Sequence, residues 1–501
     1  MSLRFLTISL SFLTVVVSAS PLFSIVPKGI FFGFDPDAVY IANALSYVQS
    51  HQIQYAEHPG TPAIWVIAQS FIPLRLYAKY IVGQPFITWA FLHYDFIFTY
   101  SRLFQACLLG AAVFIWLTAL WQFTRSHLAV IFAWVALFGF RVVPYLGSII
   151  SPETLSVLLV GTWLLVLSFF FKSRSPATLL GLALIAGLAL ANKTTNISLV
   201  LATLVLFPRT KLVNFVLTAL AIAAGFLIGI WPIRDRLLLI LKINIDFATH
   251  TGAHGSGRRA LIDIPMYLAN LQTFHLQNPI ILPLLLGGLV LAIYSLAAKS
   301  KKIPVEISLI YLLVFFVFAG FLKFPLFHYQ LANYLVLLFL AGVFISAFFK
   351  PALFFLSLII SLVYLPVSVQ AYYREAKQLA DQSAALEDFI TNNPPQIATV
   401  WEWGRARDFA YIWARGWGGG LFDSQFKRYR PELLELKSDF TKINLNYRDQ
   451  KSVFDACWDQ LYIQQQSAPK FLALYSDQTL VYQTIPGTPM ALITSTHCFE
   501  K

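Results

Sequence analysis

Uncharged stretches of about 20 apolar residues recur along the first 370 residues of the chain. Within a bilayer every backbone polar group must be paired internally, so stretches of this kind fold as membrane-spanning helices. Only 12% of the 501 residues are charged, against about 25% in ordinary soluble domains. The sequence therefore excludes a soluble globular protein and a disordered chain. It predicts a polytopic, all-α membrane protein.

We predict about eleven membrane-spanning helices. The first covers 5–27, and we interpret it as uncleaved: Val17-Ser18-Ala19 resembles a signal-peptide cleavage site, but the apolar run continues past it. The pair of runs within 177–208 is short enough to form one bent or re-entrant unit. The other ten spans are predicted at 98–122, 127–144, 153–172, 177–191, 194–208, 211–232, 279–298, 304–322, 329–348 and 351–370.

The short loops after every second predicted helix carry nine basic residues and no acidic residue. The positive-inside rule places that side in the cytoplasm, which puts the N-terminus in the cytoplasm and the segments 28–97, 233–278 and 371–501 outside. The basic residues are Arg125, Lys172, Arg174, Arg209, Lys211, Lys299, Lys301, Lys302 and Lys350. The opposite short loops hold Arg141, Lys193 and Lys323.

The net charge of +12 also comes from the hydrophobic part of the chain. Residues 1–370 contain 22 Lys and Arg against 9 Asp and Glu, whereas residues 371–501 contain 14 against 15. Basic loops beside membrane helices and their lipids account for this distribution. We therefore predict no nucleic-acid partner, because such binding needs a basic stripe on a soluble surface.

Residues 371–501 change sharply in composition, and we predict a soluble, extracytoplasmic α/β domain there, after a membrane domain at 1–370. A helix is expected at 371–390, with strands at 397–403, 470–476, 480–485 and 490–495. Cys107 lies in an apolar run and is predicted to be a small core residue. Cys457 and Cys498 lie in the C-terminal domain and could form a disulfide in an oxidising compartment.

The loop at 28–97, the first outer loop, has three of the nine acids of residues 1–370 in its loop-to-helix corners: Asp35, Asp37 and Glu57. Asp35 before Pro36 predicts a helix start, with Asp35 as the N-cap. Asp37 is not needed as a cap, which makes it the better functional candidate. A second helix is predicted to begin at Thr61-Pro62 and to kink at Pro73, and the acidic and basic pair Glu57-His58 lies between the two helices.

These motifs, in this order and topology, resemble the GT-C glycosyltransferases, a superfamily that includes protein O-mannosyltransferases and the aminoarabinose transferase of lipid A. Asp37 and Tyr40 are similar to the acidic element that opens the family's first outer loop. The stretch His58-Pro59-Gly60-Thr61-Pro62 is similar to its His-Pro element, and 323–329 to its Lys/His/Tyr stretch. The departure is Pro36, which replaces the first acid of the usual adjacent pair and leaves both Asp35 and Asp37 as possible bases.

The resemblance implies a GT-C-like fold and an inverting transfer of a sugar from a polyprenyl-phosphate carrier to an extracytoplasmic acceptor: a lipid, a glycan or a protein. Asp37 or Asp35 would act as the base. The stretch 250–259 is rich in Gly and could wrap the phosphate, and a divalent cation is a possible cofactor. The expected substrate-binding residues are Glu57, His58, Tyr40, Arg141, Lys193, His250, His254, Arg258, Arg259, Lys323, His328 and Tyr329.

Two other functions stay open at this point. A polytopic transporter or lipid-carrier flippase would share the apolar composition, although transporters usually contain internal repeats with broken helices at the midplane, and the sequence has no convincing repeat. A non-catalytic membrane scaffold that presents the C-terminal domain would leave Asp37 without a role. The expected location is a bacterial inner membrane.

Overall fold

The structure is a computed structural model of the full chain. It describes residues 3–24, 34–53, 55, 60–140, 142–147, 149–206, 212–250, 263–300, 302–324, 327–349, 351–406, 408–412, 414, 428–444 and 450–496.

Helices dominate the described residues up to Asn392. Their labels and bounds are α1 Leu3–Ser24, α2 Phe34–Ser50, α3 Thr61–Ser70, α4 Ile72–Tyr77, α5 Phe86–Leu92, α6 Tyr94–Thr124, α7 His127–Gly139, α8 Val142–Leu146, α9 Pro152–Ser173, α10 Pro176–Asn192, α11 Ile197–Val205, α12 Leu212–Ile230, α13 Leu237–Thr249, α14 Ile264–Gln277, α15 Ile281–Ala297, α16 Val305–Phe321, α17 Leu331–Phe348 and α18 Pro351–Asn392. Short 3-10 turns at Thr194–Asn196, Trp231–Arg236 and Phe327–Gln330 and a π turn at Ala78–Val82 connect some of them.

The predicted count of eleven spans is wrong for the described part of the chain. Four helices there are long and apolar enough to cross a membrane, or up to five if one pair bent by 110° is a single span. The four are Tyr94–Thr124, Pro152–Ser173, Asn214–Asp246 and His328–Phe348. The bent pair is Ile264–Gln277 with Ile281–Ala297, and five further apolar helices have 10–17 residues.

Apolar residues continue in the sequence past positions where the backbone turns. The predicted spans are therefore longer than the helices that form, and fewer helices are long enough to cross a membrane. The run predicted at 127–144 ends as a helix at Gly139 and resumes at Val142. A helix of 13 residues is about 20 Å long, which is less than the roughly 30 Å of a bilayer core. In the pair at 177–208, α10 and α11 are separated by the turn at Thr194–Asn196. The last predicted span forms the first half of α18, which continues to Asn392.

The chain forms two compact units. The first comprises Met1–Ala19, Ala56–Ala63 and Leu103–Tyr372. The second comprises Ser20–Tyr55, Ile64–Arg102 and Tyr373–Lys501, so it groups helices of the first outer loop with the C-terminal sheet. The division into a membrane domain at 1–370 and a soluble domain at 371–501 stays a prediction.

In the first unit, α10 and α12 cross at glycines. A Cβ added at Gly187 would lie 2.1 Å from the Ile222 carbonyl oxygen, and one added at Gly225 would lie 2.2 Å from that of Leu184. Gly229 follows Gly225 by one helical turn, and its Cβ would meet the Ala191 methyl at 2.4 Å. Small residues spaced by four allow membrane helices to approach closely, and here they fix the position of the C-terminal end of α10.

We expect Gly187→Val to destabilise the first unit by about 1–3 kcal/mol or more, because the added methyl groups would overlap backbone atoms of α12. Gly287→Val in α15 is the matched control, since a Cβ at Gly287 meets no atom within 4 Å. Thermal unfolding in detergent measures both variants. Equal unfolding temperatures for the two would contradict the close crossing.

In the second unit, seven strands form one mixed sheet in the order β4-β3-β2-β1-β5-β7-β6. The strands are β1 Thr399–Trp401, β2 Leu433–Leu436, β3 Lys442–Asn444, β4 Gln450–Ser452, β5 Gln460–Gln464, β6 Leu480–Thr484 and β7 Met490–Ser495. The central strand β1 pairs in parallel with β2 and β5, and the other pairs are antiparallel. Val400, Leu461 and Ile493 belong to the buried core of this sheet.

The predicted strands at 480–485 and 490–495 are confirmed as β6 and β7, and β1 lies within 397–403. The strand predicted at 470–476 is wrong. It is the helix α19, Ala468–Leu474, in which Pro469 occupies the first turn, where its missing N–H costs nothing. The strands β2 to β5 were not predicted. The strands β2 to β4 have only three or four residues each, and β4 is exposed at all three positions.

The cysteines differ in state. Cys107 is a free, exposed thiol on α6, so its predicted place in the core is wrong. Hydropathy does not separate a core face from an outward face when both are apolar. Cys457 is part of a disulfide, and Cys498 lies outside the described residues.

Candidate active site

The second unit buries one carboxylate of the first outer loop. Asp37 lies in the first turn of α2, which begins at Phe34, one residue before the predicted cap. Ala38, Ile41 and Leu45 on this helix are buried, as their helical spacing predicts. This packing carries Asp37 into the interior, where its side chain is 0% exposed.

Arg102 of α6 is the partner of Asp37. Its Nε donates to Asp37 Oδ2 at 2.6 Å, and its side chain is also 0% exposed. The guanidinium carbon lies 5.7 Å from the centre of the Phe98 ring. An opposite charge at hydrogen-bond distance stabilises the ionised form of a carboxylate. The pair is therefore a buried, fixed charge centre in the segment that the sequence singled out.

Tyr40 lies one turn after Asp37 and is 1% exposed. Its ring meets the Tyr55 ring edge to face, with centroids 5.8 Å apart. The Tyr55 amide donates to Asn43 Oδ1 at 3.0 Å. These contacts fold the chain after α2 back along the helix that carries Asp37.

The first unit contains a second charge centre, built from three elements. Glu153 lies in the first turn of α9, Lys193 caps the C-terminus of α10, and the Lys193 ammonium donates to Glu153 Oε1. Their side chains are only 6% and 5% exposed. His328 Nε2 lies 3.8 Å from the same carboxylate oxygen, and its side chain is 38% exposed.

Aromatic and amide side chains hold this second centre in place. Lys193 Nζ lies 4.5 Å from the centre of the Tyr329 ring. Asn192 donates to the Pro152 carbonyl at 2.7 Å and to Ser156 Oγ at 3.0 Å, which ties the end of α10 to the start of α9. Asn196 donates to the same hydroxyl at 3.0 Å. The Lys193–Glu153 pair is therefore held in place where the end of α10 meets the start of α9, and His328 lies on its exposed side. We call Glu153, Lys193 and His328 the corner.

Two further predicted site residues, Lys323 and His250, belong to the described residues, and the others lie outside them. Lys323 is 4% exposed, and burial lowers the pKa of its ammonium group. His250 Nδ1 lies 2.8 Å from the Asp246 carbonyl oxygen at the end of α13. The residues Glu57, His58, Arg141, His254, Arg258 and Arg259 and the side chain of Asp35 lie outside the described residues. Across the described ranges there is no group of three or more His, Cys, Asp and Glu arranged to hold a metal ion.

Sequence reasoning missed Arg102 as the partner of Asp37 and Glu153 as the partner of Lys193. Arg102 falls inside the predicted span 98–122, and Glu153 opens the span 153–172. An ionisable residue within an apolar span is costly unless it is paired, and it is a functional candidate by default. That signal was present for both residues, but the partners became visible only in the fold.

The chain resembles the crystal structure of ArnT, an aminoarabinose transferase from Cupriavidus metallidurans, bound to undecaprenyl phosphate. The TM-score is 0.54 at 13% identity, over 98% of this chain and 97% of that chain. The apo state of the same ArnT gives a TM-score of 0.48 at 13% identity, over 96% and 97%. No protein-family model and no curated protein matches the sequence. At this identity the likeness establishes the fold alone.

Proposed function

We propose that this protein is a glycosyltransferase that moves a sugar from a polyprenyl-phosphate carrier to an extracytoplasmic acceptor. The observation that carries the proposal is the fold match to ArnT bound to undecaprenyl phosphate, which spans nearly the whole of both chains. Each unit offers one charged group of the kind that such a transfer needs. Asp37 in the second unit offers a carboxylate to an attacking hydroxyl, and Lys193 in the first unit offers an ammonium to a phosphate.

Asp37 is proposed as the base. In an inverting transfer the acceptor hydroxyl attacks the anomeric carbon, the bond from that carbon to the phosphate oxygen breaks, and the hydroxyl proton moves to a carboxylate. Arg102 donates from Nε to Asp37 Oδ2 and holds the carboxylate in a fixed position. Asp37 is fully buried in this structure, so substrate binding must open a path to its carboxylate.

Lys193 and His328 are proposed to stabilise the leaving lipid phosphate. Negative charge grows on that group as the sugar departs, and cations held in place beforehand stabilise it without reorganisation. Glu153 holds the Lys193 ammonium in a fixed position, and the half-exposed His328 presents a donor on the open side of the same corner.

The donor class follows from where the reaction takes place. The positive-inside distribution puts the first outer loop and the C-terminal segment outside the cytoplasm. Nucleotide sugars are not available there, whereas a lipid-linked sugar resides in the membrane. We place the protein in a bacterial inner membrane with its N-terminus in the cytoplasm.

A donor panel in proteoliposomes tests the proposal. We expect purified protein to consume at least one polyprenyl-phosphate-linked hexose or pentose and to consume no nucleotide sugar. Free polyprenyl phosphate, the expected product, should compete with the donor. Consumption of a nucleotide sugar with no use of any lipid-linked donor would overturn the proposed donor class.

A further inference from the structure

Tyr411, from the C-terminal part of the second unit, packs among helices of the first outer loop. Its hydroxyl donates to the Phe91 carbonyl oxygen at 2.7 Å, and the side chain is buried. Its ring stacks on the Tyr94 ring with centroids 4.4 Å apart and planes 18° apart. A residue more than 300 positions along the chain from Asp37 thus reaches the segment that holds Asp37 in place.

Ring contacts continue from Tyr94 to the charge centre. The Tyr94 and Phe98 rings meet edge to face at 5.0 Å. The Phe98 ring centre lies 5.7 Å from the Arg102 guanidinium carbon, and Arg102 donates to Asp37. We call Tyr411, Tyr94, Phe98 and Arg102 the aromatic column.

The far end of the aromatic column is anchored by charge. The Arg430 guanidinium carbon lies 5.5 Å from the centre of the Tyr411 ring, on which it forms a cation–π contact. Arg430 also donates to Asp408 and to Glu432, each at 2.7 Å. Tyr411 is therefore held by a hydrogen bond, a stacked ring and a fixed cation.

Tyr94 depends on this packing for its position. Its side chain is buried, and among the described residues its hydroxyl has no hydrogen-bond partner. Aromatic contacts are directional, and stacked or edge-to-face pairs add about 0.5–1.5 kcal/mol beyond area burial. Without Tyr411, the ring of Tyr94 loses its closest stacked neighbour.

We infer that Tyr411 is a positioning residue for the Asp37–Arg102 pair, acting through the aromatic column. The C-terminal domain then helps to position the residues of the transfer site. The expected effect of Tyr411 on catalysis rests on the proposed function. The expected effect of Tyr411 on the Asp37–Arg102 pair does not, and it is measured without sugar transfer.

Steady-state transfer with the full chain in proteoliposomes gives the first test. Tyr411→Leu removes the stack, whereas Tyr411→Phe keeps it and removes only the bond to Phe91. We expect kcat to fall roughly 10- to 100-fold in Tyr411→Leu, because misplacing a reacting group by about 1 Å lowers the rate by up to about 100-fold. The donor KM should change little, and Tyr411→Phe should retain most of kcat.

Tyr475→Leu is the matched control. Tyr475 also packs on two rings, with centroids at 5.0 Å from both Phe454 and Phe471, and donates to a carbonyl at 2.6 Å. It contacts the sheet core and not the aromatic column. If the two leucine variants lower kcat equally, general loosening of the C-terminal domain explains the effect and the inference falls.

Cysteine labelling gives the second test, without any donor. Ser101 neighbours Arg102 and is 0% exposed, so Ser101→Cys in a Cys107→Ser background reports opening beside the charge pair. We expect maleimide to label it about tenfold faster or more when Tyr411→Leu is added, and no faster with Tyr475→Leu. Unchanged labelling in Tyr411→Leu overturns the inference. Wild-type protein that transfers no sugar from any lipid-linked donor overturns the proposed function, while labelling still decides whether Tyr411 holds the pair.

Discussion

Asp37→Asn is expected to lower the rate of sugar transfer by roughly 10²–10⁴-fold, the usual contribution of a positioned general base. The amide keeps the shape of the side chain but cannot accept the hydroxyl proton. Donor KM should stay within a few-fold of wild type, because Lys193 and His328, the residues proposed to meet the phosphate, are unchanged. Initial rates with a labelled lipid-linked donor measure the effect.

Asp37→Asn also leaves Arg102 charged and buried without its carboxylate, which costs about 3–5 kcal/mol of stability. The double variant Asp37→Asn, Arg102→Gln removes both charges and should recover most of that stability without recovering transfer. Asp95→Asn is the matched control, since Asp95 is exposed at the start of α6 in the same segment. If the double variant transferred sugar at the wild-type rate, Asp37 would not be the base.

Lys193→Met should have the second large effect, on stability and on donor use together. It leaves Glu153 buried and uncompensated in the corner between α9 and α10, which is expected to lower the free energy of unfolding by about 3–5 kcal/mol. The unfolding temperature measures that loss. Transfer should also fall, because the cation proposed to meet the leaving phosphate is gone.

The double variant Glu153→Gln, Lys193→Met separates the two effects. It should regain the unfolding temperature and still bind the donor weakly, with a raised donor KM. Lys172→Met is the control for loss of one positive charge, because Lys172 is exposed and donates only at the surface, to Gln122 at 2.8 Å. A double variant with normal donor KM and kcat would show that the corner is structural.

Much of the local structure follows from the sequence alone. Asp35-Pro36 and Thr61-Pro62 lie in the first turns of α2 and α3, as expected of prolines at helix starts. The predicted N-cap position of Asp35 is wrong, because α2 begins one residue earlier, at Phe34. Pro73 lies where the second helix breaks, in the first turn of α4. The helical spacing of Ala38, Ile41 and Leu45 predicts the face of α2 that is buried.

Pairings between distant residues could not be predicted in this way. Arg102 and Asp37 are separated by 65 positions, and Lys193 and Glu153 by 40. Only the folded chain decides which charges meet, and apolar runs such as 127–144 carry no marker of where a helix bends. The short strands β2 to β4 give too few residues for an alternating pattern.

A mass balance on the donor tests the central claim most directly. Purified protein in proteoliposomes is supplied with a lipid-linked sugar labelled in both the sugar and the lipid, and an envelope extract serves as the acceptor. We predict that each sugar gained by the acceptor releases one polyprenyl phosphate, and that Asp37→Asn, Arg102→Gln stops both. Intact donor that crosses the bilayer with its sugar still attached, at the same rate in both proteins, would contradict a transferase and identify a carrier of the lipid.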